Sequence, residues 1–175
     1  IGEGITHVGN YSFQNCTSLK SLTLPSSLVT IGNYAFYECK AIKSLTLPTA
    51  LETIGNYAFY NCDGITGGLT IPTSVSSIGE SAFYDCDGFD GKLVIETNDG
   101  MTIGSNAFYS CGNFTGLEIG NGVTSIGSYA FQNCSGLTSI EIPASVTSIG
   151  SFAFSGCSGL TSIEIPASVT SIGEY

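Results

Sequence analysis

The chain has no tryptophan and no arginine, and its single histidine is His7. Lysine supplies the whole basic complement, 4 residues against 14 acidic ones, for a net charge of −10. Nucleic acids and anionic membrane surfaces are bound through basic stripes, so neither is an expected partner. The many serines and threonines stand without a base beside them, and the glycines recur at a fixed period instead of forming a phosphate loop. No catalytic residue, cofactor or metal site is expected. No apolar run is long enough to insert in a membrane. The 7 cysteines are an odd number and include no C-x-x-C pair, which argues against zinc and against a closed disulfide framework. Charge is scarce at 10% while apolar residues reach 42%, a balance suited to a packed chain and not to a disordered one.

What the chain does have is a period. Cysteines stand at Cys16, Cys39, Cys62, Cys86, Cys111, Cys134 and Cys157, spaced 23 to 25 residues apart. A phenylalanine lies three residues before each, from Phe13 to Phe154, and Ile-Gly or Val-Gly pairs open the units, from Val8-Gly9 to Ile172-Gly173. A period in this range specifies a solenoid, because one unit cannot bury its apolar face alone. Each unit holds an apolar-x-apolar triplet, such as Leu45-Thr46-Leu47 or Ile140-Glu141-Ile142, usually followed by proline. This alternation predicts a short strand that sends two side chains inward and one outward. The Ala-Phe-x-x-Cys stretch predicts a single helical or 3₁₀ turn with Ala, Phe and Cys inside. The V-T-S-I-G stretch, as at 146–150, is a candidate second strand. The cysteines are expected to form a ladder of buried thiols.

The unit Ile-Gly-x-x-Ala-Phe-x-x-Cys-x-x-Ile-x-x-Leu-x-Leu-Pro-x-x-Leu, as at 31–51, resembles the BspA-type leucine-rich repeat. The likeness covers the whole chain, and Leu19-Lys20-Ser21-Leu22-Thr23-Leu24 carries the general leucine-rich pattern. The usual continuation to an asparagine ladder is absent. The resemblance implies a leucine-rich-repeat arc with short parallel strands on the concave side, residues 1–175 forming one domain of about seven units. It also implies a non-catalytic surface or secreted protein that recognises or adheres to host or microbial proteins.

Two surfaces are candidates for contact. The outward triplet residues are Thr23, Thr46, Thr70 and Val94, then Glu118, Glu141 and Glu164. Stacked glutamates roughly 5 Å apart in water repel by under about 1 kcal/mol per neighbour, a tolerable cost. The stripe reads as a docking strip for a basic partner, as a cation stripe, or as the product of duplication, since 134–150 and 157–173 are identical. Tyr37, Tyr60, Tyr84 and Tyr109 directly follow the repeat phenylalanine and form a second stripe, suited to recognition or to shielding the core. Extracellular matrix or cell-surface proteins are the expected partners, a glycan is the alternative, and a spacer that displays another domain is the non-binding alternative.

Two local features stand apart. Asp85-Cys86-Asp87-Gly88-Phe89-Asp90 superficially resembles a calcium loop but lacks a terminal bidentate Glu, and Cys86 and Phe89 hold packing positions. The stretch 96–100 lengthens its unit and is expected to bulge. Both ends of the sequence cut the repeat mid-unit, so a piece of a longer protein is expected.

Overall fold

A computed structural model describes residues 1–96 and 99–175. It is a parallel β-solenoid of about seven turns, with no helix among the described residues. The described residues form twelve short strands: β1 (His7–Val8), β2 (Thr30–Ile31), β3 (Thr53–Ile54), β4 (Leu69–Ile71), β5 (Ser77–Ile78), β6 (Lys92–Ile95), β7 (Met101–Ile103), β8 (Gly116–Ile119), β9 (Val123–Ile126), β10 (Ile140–Glu141), β11 (Ser148–Ile149) and β12 (Ser171–Ile172). They make two parallel sheets. One has eight strands in the order β1-β2-β3-β5-β7-β9-β11-β12, and the other four in the order β10-β8-β6-β4.

The larger sheet is built from the Ile-Gly stretches, and the smaller from the triplets. This reverses the weight expected from the sequence, where the triplets were the primary strands. Each Ile-Gly stretch keeps its ladder donor: Gly32 N–H donates to the Val8 carbonyl at 2.8 Å, and the bond recurs up to Gly173 and Ile149. At the triplets, proline usually removes the donor that would extend the strand. The two four-residue triplet strands, β6 and β8, are those followed by Glu96 and Gly120, whose N–H groups donate to Ile71 and Ile95 at 2.9 Å. The triplets 22–24 and 45–47 form no strand, and Glu164 makes only an isolated bridge to Glu141.

The corner between the two sheets also departs from expectation. The Ala-Phe-x-x-Cys stretch is a run of turns, because each corner places two residues four apart at positive φ, such as Tyr34 and Glu38 at 55°. A left-handed residue interrupts helical progression. The alternate N–H groups of Tyr34, Phe36 and Glu38 cross instead to the carbonyls of Asn56, Ala58 and Tyr60, at 2.9, 2.8 and 2.8 Å. The expected inward set is observed: Ala35, Phe36 and Cys39 are fully buried.

The core is a bundle of columns. The repeat phenylalanines stack with ring centroids 5.1–5.5 Å apart. All seven cysteines are free thiols, six of them buried. Each of the six donates to the carbonyl of the preceding coil's phenylalanine, from Cys39 on Phe13 at 3.0 Å to Cys157 on Phe131 at 3.1 Å. A cysteine therefore fills the apolar column and supplies a weak donor to an otherwise half-satisfied carbonyl. An asparagine ladder does exist, at a place the leucine-rich pattern does not mark. Asn10, Asn33 and Asn56 each accept, through Oδ1, the N–H of the residue one coil on, at 2.8–2.9 Å.

Phe83 sits between Phe59 and Phe108, with Phe89 edge-on at 6.4 Å. Phe83→Ala is expected to cost about 3–5 kcal/mol. Coils couple only to their neighbours, so the weakened middle is also expected to separate denaturant unfolding of the two halves into distinct phases.

Candidate functional site: the triplet stripe and the tyrosine corner

The triplet face carries the outward stripe in register. Thr70 pairs with Val94, Val94 with Glu118, Glu118 with Glu141, and Glu141 bridges to Glu164. Thr23 and Thr46 lie outside the strands and are exposed, as are Thr70 and the three glutamates. Their inward neighbours explain the placement: in β8, Leu117 and Ile119 are buried on either side of Glu118, so the pleat turns its carboxylate out.

The stripe is not uniformly acidic. Lys92 Nζ lies 2.7 Å from Glu118 Oε1, and this is the one ion pair among the described residues. The pair links two coils diagonally and is well solvated, so it orders the stripe more than it stabilises the fold. Sequence reasoning missed it because Lys92 and Glu118 are 26 residues apart and lie on different positions of the repeat. Two shallow, adjoining grooves of about 580 Å³ each run beside the glutamates and share Asn121, Glu141 and Pro143. A third, of about 380 Å³, lies beside Thr46 and Thr70.

The tyrosines form a different surface. Tyr37, Tyr60, Tyr84 and Tyr109 stack in one column with centroids 4.8, 4.7 and 4.5 Å apart. Tyr11, Tyr34 and Tyr57 form a second column at 5.0 and 4.8 Å. Tilted contacts join the columns, Tyr34 to Tyr37 at 5.6 Å and Tyr57 to Tyr60 at 5.8 Å. Tyr129 belongs elsewhere, in a separate stack with Phe152 and Tyr175. Within the two columns the ring faces are turned on one another. Burial, more than neighbouring charge, raises the pKa of Tyr57, Tyr60 and Tyr84, so these phenols stay protonated.

The calcium-like loop is organised for stacking. Asp87 Oδ1 accepts the N–H of Gly112 one coil on, while Asp90 Oδ1 accepts that of Gly67 one coil back. The carboxylates thus diverge, and no group of three or more metal-binding side chains is present among the described residues. Cys62 to Leu69 and Cys86 to Leu93 are each one residue longer than the matching stretches of the neighbouring coils, and Gly67, at φ +88°, turns within the first of them. Of the stretch 96–100, which was expected to bulge, residues 97 and 98 lie outside the described residues. No helix among the described residues is long and apolar enough to cross a membrane.

A stacked parallel solenoid with apolar columns inside and variable residues outside defines the chain as a repeat protein of the leucine-rich class. It belongs to the BspA type leucine rich repeat family, which matches it in six copies over residues 1–98 and 101–175. Such families are generally non-catalytic binding modules, and their members are typically bacterial surface or secreted proteins. Among solved structures, the chain is similar to a leucine-rich repeat protein from Eubacterium ventriosum, with 26% identity and a TM-score of 0.78 over 91% of this chain. It is similar also to the T. pallidum leucine-rich repeat protein, with 26% identity and a TM-score of 0.72 over 97% of this chain. It spans 42% of the first protein's length and 67% of the second's. No curated protein matches the chain.

Proposed function

We propose that this chain is a cell-surface or secreted recognition module that binds an extracellular protein through the triplet face. The observation that carries this reading is the in-register stripe of Thr70, Glu118, Glu141 and Glu164, exposed and flanked by grooves. The stripe, with Thr23 and Thr46, is neutral at one end and acidic at the other, which would orient a partner along the solenoid. The chemistry it offers a partner is contact and charge.

The test is binding of the purified chain to immobilised matrix and cell-surface proteins, beside a Glu118, Glu141, Glu164→Ala variant. Saturable binding by the parent chain, weakened about tenfold or more in the variant, is the expected outcome. Binding that the variant retains in full would remove the stripe from the reading. Absence of binding by a folded chain would favour a spacer.

A further inference from the structure

The tyrosine corner carries a chemistry of its own, separate from the triplet stripe. Because the rings stack face to face, solvent meets mainly their edges and hydroxyl groups. A sugar ring docks on an open aromatic face, and the columns offer one only where a stack stops. The shorter column stops at Tyr57, since the next coil places the buried Ser81 where a tyrosine would continue it. Beside that end, the Tyr57 hydroxyl donates to Glu80 Oε1 at 3.2 Å. Glu38 and Asp85 directly follow column tyrosines in the sequence, and both act electrostatically on Tyr60. Asp87 and Asp63 act on Asp85 with like charge, and Lys40 opposes them. The corner is therefore an aromatic surface edged by carboxylates, on a chain whose net charge is −10.

We propose that the tyrosine corner docks an arginine-bearing basic segment of a partner protein. The proposal rests on the reading of the chain as a recognition module but assigns a second face. A guanidinium has five donors in a planar fork, which suits a field of phenolic oxygens and carboxylates, and its flat surface suits the Tyr57 ring at the end of the shorter stack. An ammonium on a flexible stem meets fewer of these acceptors at once. A second copy of this chain is a poor occupant, because it has no arginine and few lysines.

The experiment titrates the tyrosine emission of the full chain with a short Arg-Gly repeat peptide, its Lys-Gly and Glu-Gly counterparts, and a cello-oligosaccharide. The arginine peptide is expected to bind saturably, several-fold tighter than the lysine peptide. A Glu38→Gln, Glu80→Gln, Asp85→Asn variant, with its fold checked by thermal unfolding, is expected to bind it about tenfold more weakly. Tyr60→Phe with Tyr84→Phe keeps the stacks, removes two hydroxyls, and is expected to weaken binding about threefold. A Glu118→Gln, Glu141→Gln, Glu164→Gln variant is expected to lose less of this binding than the corner variant does. Four outcomes overturn the proposal: no saturation by the arginine peptide, equal binding of arginine and lysine peptides, binding lost only with the triplet variant, or saturation by the sugar alone. The third leaves the triplet-face reading standing, so the two proposals fail separately.

Discussion

Raising the pH above about 9 is expected to unfold the protein over a narrow range. Burial is the chief cause that lifts six thiols above the ordinary value of 9.0: Cys39 and Cys157 are pushed up to about 11, and Cys62, Cys86, Cys111 and Cys134 higher still. A raised folded pKa means the native state holds a proton that the unfolded chain releases. Stability is thus fully present below pH 9 and is lost as the pH climbs through the window up to about 11 and beyond. Each thiol costs about 1.4 kcal/mol per pH unit in that window. The four innermost together cost about 5.5 kcal/mol per unit, against a total stability of about 5–15 kcal/mol for an ordinary domain. Raised tyrosine pKa values act in the same direction at the surface, more weakly because those groups are solvated.

Thermal midpoints measured from neutral to alkaline pH, with thiol reactivity read in parallel, check this result. Cys86→Ala supplies a second arm. At neutral pH it is expected to cost about 1–2 kcal/mol, since the Phe59 carbonyl loses the Cys86 thiol yet keeps the N–H of Cys62 at 3.3 Å. Above pH 9 it is expected to flatten the slope by about one thiol's share, 1.4 kcal/mol per unit. A midpoint indifferent to pH up to 11 would sink the argument.

Gly79→Ala is expected to cost more than about 4 kcal/mol, although it adds a single methyl group. A Cβ at Gly79 would lie 2.6 Å from Asn56 N, Asn56 Oδ1 and the carbonyl carbon of Gly55, all in the preceding coil. Most of that obstacle is backbone and cannot rotate away. Relief requires parting the coils, which stretches the Gly79 to Ile54 and Glu80 to Asn56 hydrogen bonds, both 2.9 Å. Gly116→Ala is the matched control. Its Cβ would meet nothing nearer than Lys92 Cγ at 3.5 Å, an ordinary contact, and alanine relieves the entropic cost of glycine in β8. It is expected to fall within about 1 kcal/mol of the parent, on either side. Denaturant unfolding of the two variants should therefore separate widely. A mild Gly79→Ala would mean that coil spacing is softer than the backbone ladder implies.

These expectations show where the repeat is legible. The columns were readable because a buried position in a solenoid is the same in every coil: Phe36, Phe59 and Phe83 announce one another across the sequence, and so do the cysteines. The outward stripe was readable for the same reason, since a fixed period carries register with it, and Glu118 and Glu141 do pair as the spacing implies. The acidic edge of the tyrosine corner was half visible. Glu38 and Asp85 adjoin Tyr37 and Tyr84 in the sequence, but Glu80 reaches Tyr57 only through the coil geometry.

By itself the sequence determined the architecture, the family and the composition of each column, because a 23-residue period leaves few ways to bury apolar residues other than stacking. Three matters were decided only by tertiary structure. The Ile-Gly stretch became the eight-stranded sheet, because it keeps the N–H donors that proline removes from most triplets. The corner became a left-handed double turn and not a helical one, because its alternate N–H groups find carbonyls one coil away. Lys92 joined Glu118, because two positions that never align in the repeat come within 2.7 Å once the coils are stacked. Periodicity reports what each coil shares with the next; a contact between unlike positions of neighbouring coils exists only when their backbones are in place.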